Sequence, residues 1–146
     1  KVPNMDADAF TDDDQKLLGS AHALIDRVRE QMDVQAFHEA LETVWLVIRA
    51  ANAYVDHQAP WKLRKEDPVR MEQVLYTLAE VIRHIALMLQ PYMPGSCGQM
   101  LDQLSIAPGD RTFEAVGAGH ALKSGTGLPK PEGVFPRIPD ETDEDA

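Results

Sequence analysis

The sequence predicts an all-α fold, an up-and-down helical bundle of about four helices with an irregular C-terminal strap. Three observations carry this. Apolar residues recur at helical spacing over long stretches between positions 12 and 104. Residues that start helices stand just ahead of those stretches. From Ser105 onward Pro and Gly become frequent and the helical period vanishes, with no β-rich segment and no internal repeat anywhere.

Lys1 to Phe10 reads as an extended lead-in. Thr11 then suits an N-cap, and Asp12, Asp13 and Asp14 favour the positive pole of the first turn. Leu17, Leu18, Ala21, Leu24, Ile25, Val28 and Met32 predict a first helix over 12–32. Asp33 is expected to cap a second helix over 34–58, whose apolar stripe is Phe37, Leu41, Val44, Trp45, Ile48, Ala51 and Val55. Trp45, on that stripe, is expected in the core. Asp67-Pro68 is an N-cap followed by a proline at the first helical position, and Met71 through Leu89 carry a third helix over 68–89. Pro91 and Pro94 interrupt the pattern. Ser96 is expected to cap a short fourth helix over 96–104, bearing Met100, Leu101 and Leu104. The expected organisation is a lead-in over 1–10, the bundle over 11–104, a strap over 105–139 and a disordered acidic tail over 140–146.

A chain of 146 residues suits one domain with a real core. No apolar run approaches the ~20 residues that span a membrane, and the polar, acidic N-terminus does not read as a signal peptide. Cys97 is the single cysteine, which leaves no intrachain disulfide or paired-cysteine zinc knuckle and fits a reducing cytoplasm, the expected compartment. The net charge of −10 argues against a general nucleic-acid binder, since non-specific affinity comes from cations on phosphates. The acids crowd the two ends, however. Residues 15–139 hold 13 Lys+Arg against 14 Asp+Glu, a net charge of −1. A small, specific RNA contact is compatible with that body; wrapping a long duplex is not.

The most informative segment is Asn52-Ala53-Tyr54-Val55-Asp56-His57-Gln58-Ala59-Pro60-Trp61. Pro60 lacks an N–H and disfavours α geometry at Ala59, so the second helix should end there, with Trp61 at a bend. Lys62, Arg64 and Lys65 follow at once. An aromatic face beside three cations can stack an unpaired base and hold its phosphate. The bland readings stand beside this one. A tryptophan after a helix end also serves as a hydrophobic plug. Lys62, Arg64 and Lys65, partly neutralised by Glu66 and Asp67, also read as a solvated turn. Asn52 is either a partner of the loop carrying Trp61 or a helix residue with a local bond. Tyr54 reads as amphipathic packing, and Asp56 and His57 as solvent-facing, with no metal role for the lone histidine. Glu80 and Arg83, three apart on the third helix, read as a salt bridge.

The Asn52–Trp61 segment closely resembles the anticodon-binding domain of methionyl-tRNA synthetases, class I aminoacyl-tRNA synthetases. The likeness runs from about Phe10 to Ile138. It includes Glu80-Val81-Ile82-Arg83, Pro91-Tyr92-Met93-Pro94 and the closing Val134-Phe135-Pro136-Arg137-Ile138. Related synthetases for valine, leucine, isoleucine and cysteine use similar bundles, but the Asp56-His57-Gln58-Ala59-Pro60-Trp61 ending looks most like the methionine enzyme. The resemblance implies that Trp61, at its Pro60 corner, stacks on the first anticodon base, a cytosine. It implies an RNA-binding surface of Trp61, Pro60, Asn52, Lys62, Arg64 and Lys65. Phe135 and Ile138 become packing anchors toward the catalytic half, and Arg137 an interdomain or backbone contact.

No residue reads as catalytic. His-x-Gly-His and Lys-Met-Ser-Lys-Ser, which carry ATP binding and adenylate chemistry in this family, do not occur. Nor does the upstream Asn-x-x-x-Arg with which the family also reads the anticodon. The resemblance therefore implies a C-terminal part of a methionine–tRNA ligase, inactive alone and with a weakened anticodon grip. It holds no cofactor of its own; ATP belongs to the parent enzyme's remaining portion, and zinc there stays open. Its partners become the anticodon loop of tRNA(Met), read as CAU, and the catalytic domain of the same enzyme, with no membrane. The alternative is a non-catalytic helical protein-interaction bundle. An open Trp61 ring favours the first reading and a buried ring the second.

Overall fold

A computed structural model describes residues 1–136. Six α-helices run in order: α1 Asp12–His22, α2 Leu24–Asp33, α3 Phe37–Gln58, α4 Pro60–Glu66, α5 Pro68–Leu89 and α6 Pro94–Gln103. There is no strand among the described residues. The all-α expectation holds. α5 also keeps both of its predicted ends, because Asp67 accepts the Arg70 backbone N–H at 3.0 Å and Pro68 opens the first turn.

The other boundaries differ in instructive ways. Thr11 and Asp14 form a reciprocal capping box, as Thr11 foretold. The predicted first helix, however, breaks at Ala23 into α1 and α2. Gly19-Ser20 lies one turn earlier, and Ser20 Oγ donates to the Leu17 carbonyl at 2.7 Å, the kind of side-chain intrusion that bends helices. Asp33 ends α2 instead of capping α3. Gln35 takes a left-handed φ of 59°, and α3 starts at Phe37 with no side-chain cap. Ser96 lies inside α6, which Pro94 opens. The Pro60 corner is real but is not a simple bend. Ala59 closes α3 in the left-handed region, at φ 45° and ψ 59°, and Pro60 starts the seven-residue α4.

α3 and α5, each of 22 residues, form the spine. Their facing sides bury Ala40, Val44, Val47 and Tyr54 against Val74, Val81, Ile85 and Met88, with Leu17, Ala21, Leu24 and Val28 of α1 and α2 closing the third side. Trp45 is a correction. It is 53% exposed, because the buried stripe follows Ala40, Val44, Val47 and Tyr54 and Trp45 sits one residue, about 100°, round from Val44.

The lead-in and the strap pack on each other and on α5. Val2 donates its N–H to the Thr126 carbonyl at 2.8 Å and accepts from Gly125 at 2.9 Å. Val2, Tyr76 and Leu122 form a small core of their own, with Phe10 against Tyr76. Beyond α6 the strap makes three single 3₁₀ turns, Pro108–Asp110, Phe113–Ala115 and Ala118–His120. Arg137 and Ile138, and the acidic tail, lie outside the described residues.

Candidate nucleic-acid interface

The site is built on α4. Its proline fixes φ at the first position, where no intrahelical N–H is needed. Trp61 follows in the first turn and is 58% exposed. Lys62, Arg64 and Lys65 are exposed on the same short helix, and none of them is in an ion pair among the described residues. Leu63 is the residue of α4 that packs against the main core. An open indole and three solvated cations thus share one turn and a half of helix. The plug reading of Trp61 fails on that exposure.

Asn52, two turns before the end of α3, is exposed and makes no side-chain hydrogen bond among the described residues, so neither of its expected bonds forms. Asp56 and His57 are exposed as expected, with His57 Nδ1 3.6 Å from Asp13. Pro60 is half-buried beneath the helix start. Phe135, at the far end of the strap, is 64% exposed.

Tyr54 does more than pack. Its hydroxyl donates to Asp14 Oδ1 at 2.5 Å. Asp14 is fully buried and receives both Arg70 nitrogens, Nη1 on Oδ2 at 2.5 Å and Nη2 on Oδ1 at 2.7 Å. Burial pushes the Asp14 carboxyl up, but the bonds from Arg70, Tyr54 and Thr11 outweigh it and leave it below the ordinary carboxylate value. Burial and the Asp14 bond raise Tyr54, keeping its phenol protonated. The bond to Asp14 likewise raises Arg70. Arg70 Nη2 reaches on to Gln58 Oε1 at 2.8 Å. Sequence reasoning read Asp14 only as a helix-dipole residue, because its partners stand 40 and 56 positions away and no periodic signal links them.

A second polar cluster lies across the molecule on α5. Arg83 donates to Glu80 through Nε and Nη2 and to the strap carbonyls of Ala115 at 2.6 Å and Gly117 at 3.0 Å. Glu80 Oε1 accepts the Leu122 N–H at 2.5 Å. His84 Nδ1 donates to the Glu80 carbonyl at 2.7 Å, which leaves Nε2 to accept the Gly117 N–H at 3.0 Å. The predicted Glu80–Arg83 pair is therefore real, and it is fully buried. His22 packs against His84 with its ring tilted by 47° and the centroids 4.9 Å apart, and ligand atoms of His22, Glu80 and His84 come within 4.8 Å of one another. Both ring nitrogens of His84 and both oxygens of Glu80 are already committed, so this group fits a latch on the strap better than a metal centre.

The family model described as the anticodon binding domain of methionyl tRNA ligase matches residues 2–146. A Methionine--tRNA ligase from Mycobacterium tuberculosis is 48% identical over 141 residues, covering 94% of this chain and 26% of the relative. One from Mesorhizobium japonicum is 45% identical over 128 residues, covering 88% and 25%. The crystal structure of the apo form of the Mycobacterium tuberculosis methionyl-tRNA synthetase superposes with a TM-score of 0.89 at 47% identity, over 95% of this chain and 28% of that one. Its form bound by methionyl-adenylate gives 0.87, over 92% and 27%. The chain thus spans about a quarter of the length of the curated relatives it matches.

Proposed function

The chain belongs to the family of anticodon-binding domains of methionyl-tRNA ligases, and on that premise we propose that it binds the anticodon loop of tRNA(Met) and stacks Trp61 on the first anticodon base. The observation that carries this reading is the open Trp61 ring beside three solvated cations on α4. A base stacked on an aromatic ring is worth ~1–3 kcal/mol, and the cations add a salt-dependent hold on the loop phosphates. In this reading Pro60 and Asn52 belong to the same RNA-binding surface, and Lys62, Arg64 and Lys65 contact phosphates. The reading unit is 11–104, with 105–139 as its strap.

The parent ligase activates methionine with ATP and esterifies it to tRNA(Met) in the cytoplasm. A relative carrying methionyl-adenylate supports that chemistry for the parent. This chain takes no chemical step; its second partner is the catalytic domain, and the 64% exposed Phe135 is free to pack against it. No described helix is long and apolar enough to cross a membrane.

The test is a titration of the ¹⁵N-indole-labelled chain with a CAU anticodon stem-loop and a GAU control. The Trp61 indole signal is expected to move with CAU, and much less with GAU. Trp61→Ala is expected to weaken binding about 5- to 150-fold, the span of one stack, with little change in unfolding free energy because the ring is exposed. Equal responses to both loops, or no response at millimolar RNA, would overturn the reading.

A further inference from the structure

α4 is too short to hold its own place. It has seven residues, no side-chain N-cap and no buried residue, and isolated helices of that length do not persist in water. Its entry passes through Ala59, an alanine in the left-handed region, which disfavours that geometry over its alternatives. Leu63 anchors one face of α4 on the core, and the direction in which Trp61 is presented then depends on what holds the two ends of α4.

Those ends are joined by side chains. Gln58, the last residue of α3, stands just before the helix, and Arg70, in the first turn of α5, stands just after it. Arg70 Nη2 donates to Gln58 Oε1 at 2.8 Å, bridging the exit and the entry. The Gln58 amide also donates to Asp13 Oδ2 at 3.2 Å. Behind the bridge, Asp14 grips Arg70 through two bonds and takes the Tyr54 hydroxyl, so the guanidinium has one position open to it. A bidentate pair of this kind fixes orientation as well as distance. Asp14 comes from α1, and its own hydrogen bonds run to Arg70, Tyr54 and Thr11, not to any residue of α4.

We propose that Asp14 is the positioning residue of the Trp61 platform: through Arg70 and Gln58 it staples the two ends of α4 and sets the direction in which the indole is presented. This rests on the anticodon reading for its RNA arm, but the platform geometry can be tested without RNA.

Two measurements on the whole chain decide it. In RNA-free protein, Asp14→Asn is expected to shift and broaden the Trp61 indole signal while leaving Trp45, on the far stretch of α3, in place. Unchanged Trp61 signals in a folded Asp14→Asn protein would overturn the proposal. With the CAU stem-loop, Asp14→Asn is expected to weaken binding about tenfold when Trp61 is present and less than twofold in a Trp61→Ala background, since contacting or serially linked residues do not add. Equal losses in both backgrounds would mean that Asp14 merely stabilises the bundle. Should Asp14→Asn fail to fold, Gln58→Ala cuts the staple at its half-buried end and leaves the buried Asp14–Arg70 pair intact; it is expected to give the same indole and double-background pattern, and its failure to do so would overturn the proposal. If the unaltered chain does not bind the stem-loop at all, the anticodon reading falls, and the staple stands or falls on the RNA-free indole signal alone.

Discussion

Two buried ion pairs among the described residues do different work. Asp14–Arg70 joins helix to helix beneath a solvated platform, and every bond it makes runs to another side chain or to its own capping box. Glu80–Arg83 joins a helix to an irregular segment, and most of its spare capacity is spent on strap backbone: the Ala115 and Gly117 carbonyls and the Leu122 N–H. Helices satisfy their own backbone; a strap cannot. Side chains on α5 therefore supply the partners that a sheet or helix would otherwise have provided. A buried pair is weak evidence for net stability. Here the first pair fixes a direction, and the second lets an irregular chain lie against a core.

The largest test of that contrast is Arg83→Met. It leaves Glu80 buried without its counter-charge and two strap carbonyls without a donor. Removing one partner of a buried pair costs about 3–5 kcal/mol, so urea unfolding should show a loss of that order. Limited proteolysis should cut first in the strap, leaving α1 to α5 protected. Cleavage that begins in α4 instead would mean that the strap latch does not carry this load.

Acid should separate the same two regions. Burial, together with the Arg83 charge, pulls His84 down to about 4, and burial lowers its ring neighbour His22. Because the folded state holds the His84 proton less tightly than the unfolded chain does, the His84 contribution is full above pH 6.5. It falls as pH drops through 6.5 and levels off near 4, a loss of up to about 3 kcal/mol. The Asp14 carboxyl lies below its ordinary value, so its contribution is present above that value and fades only in stronger acid. Between pH 6.5 and 4.5 the strap end should weaken while the platform end holds. Hydrogen exchange at pH 7 and 5, corrected for the intrinsic rates, would show it: lower protection at Gly117 and Leu122, unchanged protection at Arg70. His84→Gln should flatten the pH dependence of unfolding.

The smallest effect concerns Ala59. An L-residue in the left-handed region costs ~1–2 kcal/mol, and glycine removes that cost while adding unfolded-state entropy of ~0.4–1 kcal/mol. Ala59→Gly should stabilise the chain by about 0–1.6 kcal/mol in urea unfolding. A clear destabilisation would show that the junction is not strained.

How legible was all this in the sequence? α5 was read to the residue because both ends carry local chemistry, Asp67-Pro68 at one and Pro91 just beyond the other. The start of α3 was missed because it has no capping side chain and follows a left-handed Gln35. α4 was missed because seven residues hold too little period to announce a helix, although the proline that opens it was recognised as a boundary. Trp45 was misplaced for a subtler reason. Its spacing from Leu41 and Ile48 is helical, but so is that of the neighbouring stripe that is buried. Trp61, Lys62, Arg64 and Lys65 could be singled out together because they are adjacent in sequence. Asp14, Arg70, Gln58 and Tyr54 were not found as a group, because only the packing of α1 against α3 and α5 brings them together.

Cys97 offers a clock for the fold. Its thiol is fully buried beside Leu101 on α6, and burial pushes its acidity down. It should be inert to alkylating reagents until α6 lifts from α5. The rate at which the native chain takes up a maleimide label thus counts the opening events that expose Cys97. With no other thiol in the sequence, the same silence gives a clean background for a fluorophore placed on an introduced cysteine elsewhere on the surface.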